Sequence, residues 1–363
     1  MIDPQSELSI TAVALAMRIA HKMGLHHAGK DSRMSFFEQE MQVRLWWCIR
    51  GFNSRARRGM GLLSTVDDLS DVRLPMNVND ADLHPLMEKP PAVQHTAATE
   101  MVYCLMKYDL WNYVRKSSRF SGDLNPREKA AQLAASTSVE NMAVKREMLS
   151  NVTQMLQERY LAYLDQSIPL HQLSIALAGL SVHNQRFSML HPRHQPGGGR
   201  NMSQADQDLV FESSVKLLEL NHDVRHTSFS IKLVDHMVCT TPADALVYMA
   251  SELRHRVTGC LVDTAWTLLE ELFDEQFAIS PGEHKFYAAL ADLILQAWAA
   301  RRRTLEHGPD IMPKFIERLQ TVSDAVDTPE PASDTENLQA GLMGDLMHDE
   351  SLDWTYWNDL LQL

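Results

Sequence analysis

The 363-residue chain is 45% hydrophobic and holds only 15 glycines and 15 prolines, enough apolar material for one large or two smaller cores. Leu, Ala, Met, Glu and Gln dominate over alternating runs of Val, Ile and Thr, so the expected fold class is all-α. A formal net charge of -13 is the wrong sign for a surface that binds nucleic acid through its phosphates, and the lack of an uncharged apolar run of about 18 residues argues against a membrane helix and for a soluble protein.

In chain order, Asp3 and Pro4 supply a helix start, and Leu8, Ala12, Leu15 and Ile19 recur at helical spacing until Gly24 stops the helix at Leu25. Ser35 and Glu38 form a capping-box pattern that opens a second helix, whose buried stripe is expected to be Phe37, Met41, Leu45, Cys48 and Phe52. From Gly59 to Pro91 the helical period gives way to Asp, Asn, Pro and Gly, which reads as a long acidic loop. Helices are then expected near Ala92 to Lys116, Val139 to Asp165 and Leu170 to Leu190. Beyond the break at His191 to Gly199 come Ser203 to His222, Ser228 to Met237, Ala243 to Thr258, Asp263 to Phe273 and Lys285 to Glu306. From Ser323 to Leu363 there are ten acidic residues and no Lys or Arg, which leaves 34 basic against 37 acidic residues, a net -3, for residues 1–322. A helical domain over 1–322 and a flexible acidic tail over 323–363 follow.

Two strings carry a family likeness. One is Ala16-Met17-Arg18-Ile19-Ala20-His21-Lys22-Met23-Gly24-Leu25-His26-His27; the other runs from Met34-Ser35-Phe36-Phe37-Glu38-Gln39-Glu40 through Arg44-Leu45-Trp46-Trp47. A third element, Leu74-Pro75-Met76-Asn77-Val78-Asn79-Asp80-Ala81-Asp82-Leu83, follows at the matching distance. Together they closely resemble the middle homology region of fungal binuclear zinc-cluster transcription factors, with weaker matches around Leu156 to Leu161, Leu253 to Arg256 and Asp263 to Trp266. The resemblance singles out Arg18, Gly24, Leu25, His26, Glu38, Glu40, Arg44, Leu45, Trp46, Trp47, Pro75, Asn77, Asp80 and Asp82 as the motif positions. It implies a nuclear transcription regulator without catalytic activity, whose helical domain controls activity, dimerises with itself or with a complete factor, or senses a small molecule, with coactivator or mediator-type proteins as partners. The six-cysteine cluster and the helices that precede this region in such factors are not in the chain, so the domain is expected to be N-terminally incomplete, to hold no zinc and to bind no DNA site by itself. A transcription-factor-derived helical enzyme or small-molecule-binding protein of a biosynthetic pathway is the alternative.

Chemical motifs are few. Cys48, Cys104, Cys239 and Cys260 are too dispersed for a zinc site and read as buried apolar residues of a reducing compartment. Asp67, Asp68 and Asp71 imitate a magnesium-binding helix motif but fall in the loop, without a second ligand set. His183, His191 and His194 lack metal spacing and read as surface or satisfied core histidines, and Trp46 and Trp47 read as core rather than as a stacking platform. Arg44 is expected to pair with Glu40 on the helix surface for a few tenths of a kcal/mol. Arg55, Arg57 and Arg58, and Arg301 to Arg303, are basic clusters at helix ends. In the tail, Trp354, Trp357 and Leu360 alternate with carboxylates, as in acidic-hydrophobic activation segments; a last amphipathic helix docked on the domain is the other reading.

Overall fold

The computed structural model describes residues 7–30, 33–59, 72–92, 95–116, 126–226, 242–276, 284–304 and 312–326. Among them are eleven α-helices and no strand: α1 Glu7–Lys22, α2 Phe36–Gly59, α3 Val102–Lys116, α4 Pro126–Ala135, α5 Val139–Arg159, α6 Pro169–Leu190, α7 Gln204–His226, α8 Ala243–Glu252, α9 Cys260–Gln276, α10 His284–Thr304 and α11 Lys314–Val326. The all-α expectation holds. The expected helix at Ser228 to Met237, the Asp67 to Asp71 string and the tail residues Trp354, Trp357 and Leu360 lie outside the described residues.

The chain divides into two compact units. The first comprises Met1–Val182 with Phe229–His236, the second His183–Ser228 with Met237–Leu363. In the first unit α1 packs on α2, and α3, α4 and α5 pack on one another. One apolar cluster there gathers Met17, Ala20, Leu25, Val43, Trp46, Trp47, Val72 and Tyr108; another gathers Met106, Val152, Met155, Leu156 and Ala178. In the second unit α7 packs on α8 and α9, and α10 packs on α8 and α11. Val210, Val215, Leu218, Val247, Met249, Leu253, Leu269, Leu290, Ile294 and Ile316 are all fully buried there.

The capping box forms as the sequence predicts: the Ser35 amide donates to Glu38 Oε2 at 3.0 Å and the Glu38 amide to Ser35 Oγ at 3.2 Å. The expected buried stripe of α2 does not. Leu45 is 45% and Phe52 50% exposed, Cys48 is exposed, and Phe37 and Met41 are only half-buried. The helix instead buries Phe36, Glu40, Val43, Trp46, Trp47 and Arg50. The apolar period misled because two charged residues lie on the inward face, where partners satisfy them, while the outward face carries the regular aliphatic spacing. Three of the cysteines are corrected too: Cys48 and Cys260 are exposed and Cys104 is half-buried, while Cys239 lies outside the described residues. Two helices had not been read from the sequence, α4 and α11, and α3 begins ten residues after Ala92. Among the described residues, no helix is long and apolar enough to cross a membrane.

Candidate functional site: a buried glutamate that clasps the loop to α2

Glu40 lies on the inward face of α2 with no exposed side-chain surface. Oε1 accepts from Arg44 Nε at 3.2 Å and from the Met76 amide at 3.0 Å, and Oε2 forms an ion pair with Arg73 Nη1 at 2.7 Å. Two guanidinium groups and a backbone amide thus offset the desolvation of one carboxylate. Arg44, one helical turn along, extends Nη1 to Asp80 Oδ1 at 2.7 Å. The pair expected on the helix surface is therefore the centre of a network, built around a buried carboxylate, that fixes residues 72–82 against α2.

Further contacts fasten the same segment. The Trp47 indole N–H donates to the Arg73 carbonyl at 2.7 Å, and Val72, Pro75 and Val78 are buried. Asn77 Nδ2 donates to the carbonyls of His95 and Ala97, and its Oδ1 accepts from the Thr99 hydroxyl at 2.7 Å. Asn79 and Asp82 form a second, smaller capping box around the 3-10 turn Asp80–Asp82. The Asn79 amide and the His95 ring, the latter 2.8 Å from Asp82 Oδ2, hold the Asp82 carboxyl below its ordinary range.

The α1 side closes the arrangement. Gly24 takes φ +75°, which lets the chain turn from α1 into a 3-10 turn whose Leu25 is buried. Gly29, at φ +80°, brings its backbone against Val43 and Arg73: a Cβ there would lie 3.2 Å from Val43 Cγ2 and 3.3 Å from Arg73 Nε. Trp46 meets His21 edge-on with ring centroids 5.4 Å apart, and His26 at 6.3 Å. Trp47 packs on Tyr108 and Trp111, and the buried Arg50 guanidinium lies over the Trp111 ring at 4.3 Å.

The structure thus brings together Gly24, Leu25, His26, Glu40, Arg44, Trp46, Trp47, Pro75, Asn77, Asp80 and Asp82, while Glu38 caps α2. Arg18 and Leu45 face outward. Sequence reasoning missed Arg73, Arg50, Gly29, Thr99 and His95. Asp82 and His95, 13 residues apart, meet only through the folded loop, so no local period could pair them.

The later likenesses are also packing positions. Asp109, nearly buried, accepts from Arg159 at 2.8 Å and from the Tyr160 hydroxyl at 3.1 Å. In the second unit Arg256 bridges Glu252 and Asp208, and Arg301 meets Asp263 at 2.7 Å. His191 is fully buried against Phe187 and Tyr248, and its Nδ1 accepts from the Arg193 amide at 3.2 Å. Burial, with Arg193 and His194 nearby, pushes its pKa down to about 2. The ring is a neutral core histidine, one of the two readings the sequence left open.

An open groove of about 700 Å³ between α7 and α9 is lined by Glu219, His222, Asp223, Cys260, Asp263 and Glu271, among others. Three of its carboxylates lie beside basic side chains: Lys216 at 2.6 Å from Glu219, the His222 ring at 3.5 Å from Glu271, and Arg301 on Asp263. Among the described residues, no group of three or more His, Cys, Asp and Glu is arranged to hold a metal ion.

Comparison with known proteins matches this motif-bearing chain to named regulators. It is 26% identical over 290 residues to the aurofusarin cluster transcription factor aurR2 of Gibberella zeae, covering 79% of this chain and 42% of that protein. It is 27% identical over 316 residues to the pyriculol/pyriculariol biosynthesis cluster transcription factor 1 of Pyricularia oryzae, covering 85% and 41%. A C6 finger domain transcription factor of Aspergillus fumigatus, nscR, aligns at 24% over 315 residues, covering 81% and 38%. The chain is thus similar, over about four fifths of its length, to fungal transcription factors, a C6 finger domain factor among them. It spans about two fifths of the length of these relatives. No family model matches it, and no solved structure matches it.

Proposed function

We propose that the chain is the regulatory region of a fungal transcription regulator that serves a secondary-metabolite gene cluster and acts in the nucleus. The carrying observation is the alignment of about four fifths of the chain with regulators named for such clusters. The clasp supports this reading: Glu40, Arg44, Trp47, Asn77 and Asp80 of the motif are used to hold a loop on a helix. Control by partner binding is the role, with coactivator or mediator-type proteins as partners and a small-molecule effector or a second factor as further inputs.

The experiment is a reporter assay. Residues 323–363, fused to an unrelated DNA-binding module, should activate transcription, because ten carboxylates keep Trp354, Trp357 and Leu360 accessible to a partner groove. Replacing Trp354 and Trp357 by Ala should remove most of the activity at unchanged charge. A silent parent fusion, or a double variant as active as the parent, would defeat the activation reading of the tail. The full chain fused to the same module tests the regulatory reading: it should change the output of the tail, and equal output from chain and tail would show no regulation by residues 1–322.

A further inference from the structure

Two of the free thiols stand on neighbouring helices of the first unit, Cys48 on α2 and Cys104 on α3. The packing of the two helices sets them face to face. Charge on Arg44 and on Cys48 is felt at Cys104, Gly51 faces Lys107 and Tyr108, and the Arg50 guanidinium covers Trp111. These contacts move toward the C-terminal ends of both helices together, so α2 and α3 run in the same sense. Cys48 is one turn before Gly51, and Cys104 is one turn before Lys107 and Tyr108, which brings the two thiols to the same level of the contact. Gly51 supplies no side chain to hold the helices apart there: a Cβ would stand 3.8 Å from Tyr108 Cε1 and 4.0 Å from Lys107 Nζ.

We propose that Cys48 and Cys104 are a redox pair that closes into a disulfide between α2 and α3 when a hydroperoxide reaches the exposed thiol. The roles follow from access. Cys48 is exposed and meets the oxidant, while Cys104 is half-buried against the Trp46 and Trp47 cluster and waits behind it. In the first step the Cys48 thiolate attacks the hydroperoxide: an S–O bond forms, the O–O bond breaks, and an alcohol, or water from hydrogen peroxide, leaves with a proton, so that Cys48 becomes a sulfenic acid. In the second the Cys104 thiolate attacks the Cys48 sulfur, the S–S bond forms, the S–O bond breaks, and the departing oxygen takes up the Cys104 proton as water. Two thiols and one hydroperoxide thus give one disulfide, one alcohol and one water, a two-electron oxidation.

Burial pushes both thiols above their ordinary value, and the Lys107 ammonium draws both part of the way back. The reaction therefore runs on a small thiolate fraction at neutral pH, and its rate rises as the pH rises. The product closes residues 48–104, the clasped segment 72–82 included, into one covalent loop. Cys260, the other exposed thiol, belongs to the second unit and takes no part.

The test treats the purified, fully reduced 363-residue chain with an excess of hydrogen peroxide under native conditions. Two of its four thiols should disappear, a digest without reductant should contain a peptide joining positions 48 and 104 of one chain, and dithiothreitol should restore all four. Bridge formation should be about tenfold faster at pH 8 than at pH 7, because the thiolate is the nucleophile. Cys104→Ser should leave a sulfenic acid at position 48 that dimedone traps, and Cys260→Ser should bridge as the parent does. The same chain in urea should lose the preference and scatter its pairings. A native chain that keeps four thiols, that accumulates sulfinic acid without the 48–104 peptide, or that joins Cys48 to another molecule or to Cys239 or Cys260 instead, would overturn the pair. The peptide map of the parent chain decides this without any variant, and no readout involves transcription, so failure here and failure of the regulatory reading are separable.

Discussion

Leu45 and Trp46 are neighbours in the chain and opposites in environment. Trp46 has no exposed surface and fills the space between α1 and α2, so Trp46→Ala should cost about 3–5 kcal/mol by lost burial and cavity formation. Leu45→Ala, at 45% exposure, should cost below about 0.5 kcal/mol. Urea titration of the two variants checks the pair, and equal losses would contradict the orientation of α2. His191 gives a pH prediction. Its pKa falls from an ordinary value of about 6.5 in the unfolded chain to about 2 in the folded one. As pH falls through the unfolded value the unfolded chain takes up a proton and the folded chain does not. Stability should therefore decrease with a slope approaching 1.4 kcal/mol per pH unit below about pH 6. The His191→Gln variant keeps an acceptor for the Arg193 amide and should lose that part of the acid sensitivity; an unchanged slope between pH 7 and pH 5 would show that His191 does not carry it.

Between elements, the Glu40 clasp decides how residues 72–82 lie on α2. Glu40→Ala removes the acceptor for Arg44 and the Met76 amide and the ion-pair partner of Arg73 together. Arg44 and Arg73 keep some solvent, so the loss should sit near the lower end for a broken buried pair, about 3 kcal/mol. Limited proteolysis should then cut within residues 72–92 at a denaturant concentration that leaves α5 and α6 intact. If α1, α2 and the loop all open together instead, the clasp belongs to the core of the first unit and not to the loop alone. The helices that sequence reasoning missed have an element-scale cause. The α4 segment is short, and its apolar residues are small alanines with one leucine, too little to mark a face. The α11 segment does hold a legible signal, Phe315, Ile316 and Leu319 after Pro313, but it adjoins the acidic tail whose composition overshadowed it.

For the molecule as a whole, the purified chain should hold no stoichiometric zinc and should show no site-specific DNA binding. Its four cysteines are dispersed, Cys48, Cys104 and Cys260 are free thiols, and its net charge is -13. Two zinc ions per chain by elemental analysis, or a sequence-specific gel shift, would overturn that expectation. The sequence alone determined the helical class, the capping box of α2 and the likeness to zinc-cluster regulators, because composition, local spacing and motif strings act over a few residues at a time. Only the tertiary structure decided which face of each helix is the inside. A buried charge such as Glu40 or Arg50 looks polar in any window of sequence, and what makes burial tolerable is a partner 33 to 61 residues away: Arg73 and Met76 for the carboxylate, Trp111 for the guanidinium. The same long-range choice turned the regular apolar spacing of α1 and α2 outward, where it became a surface instead of a core.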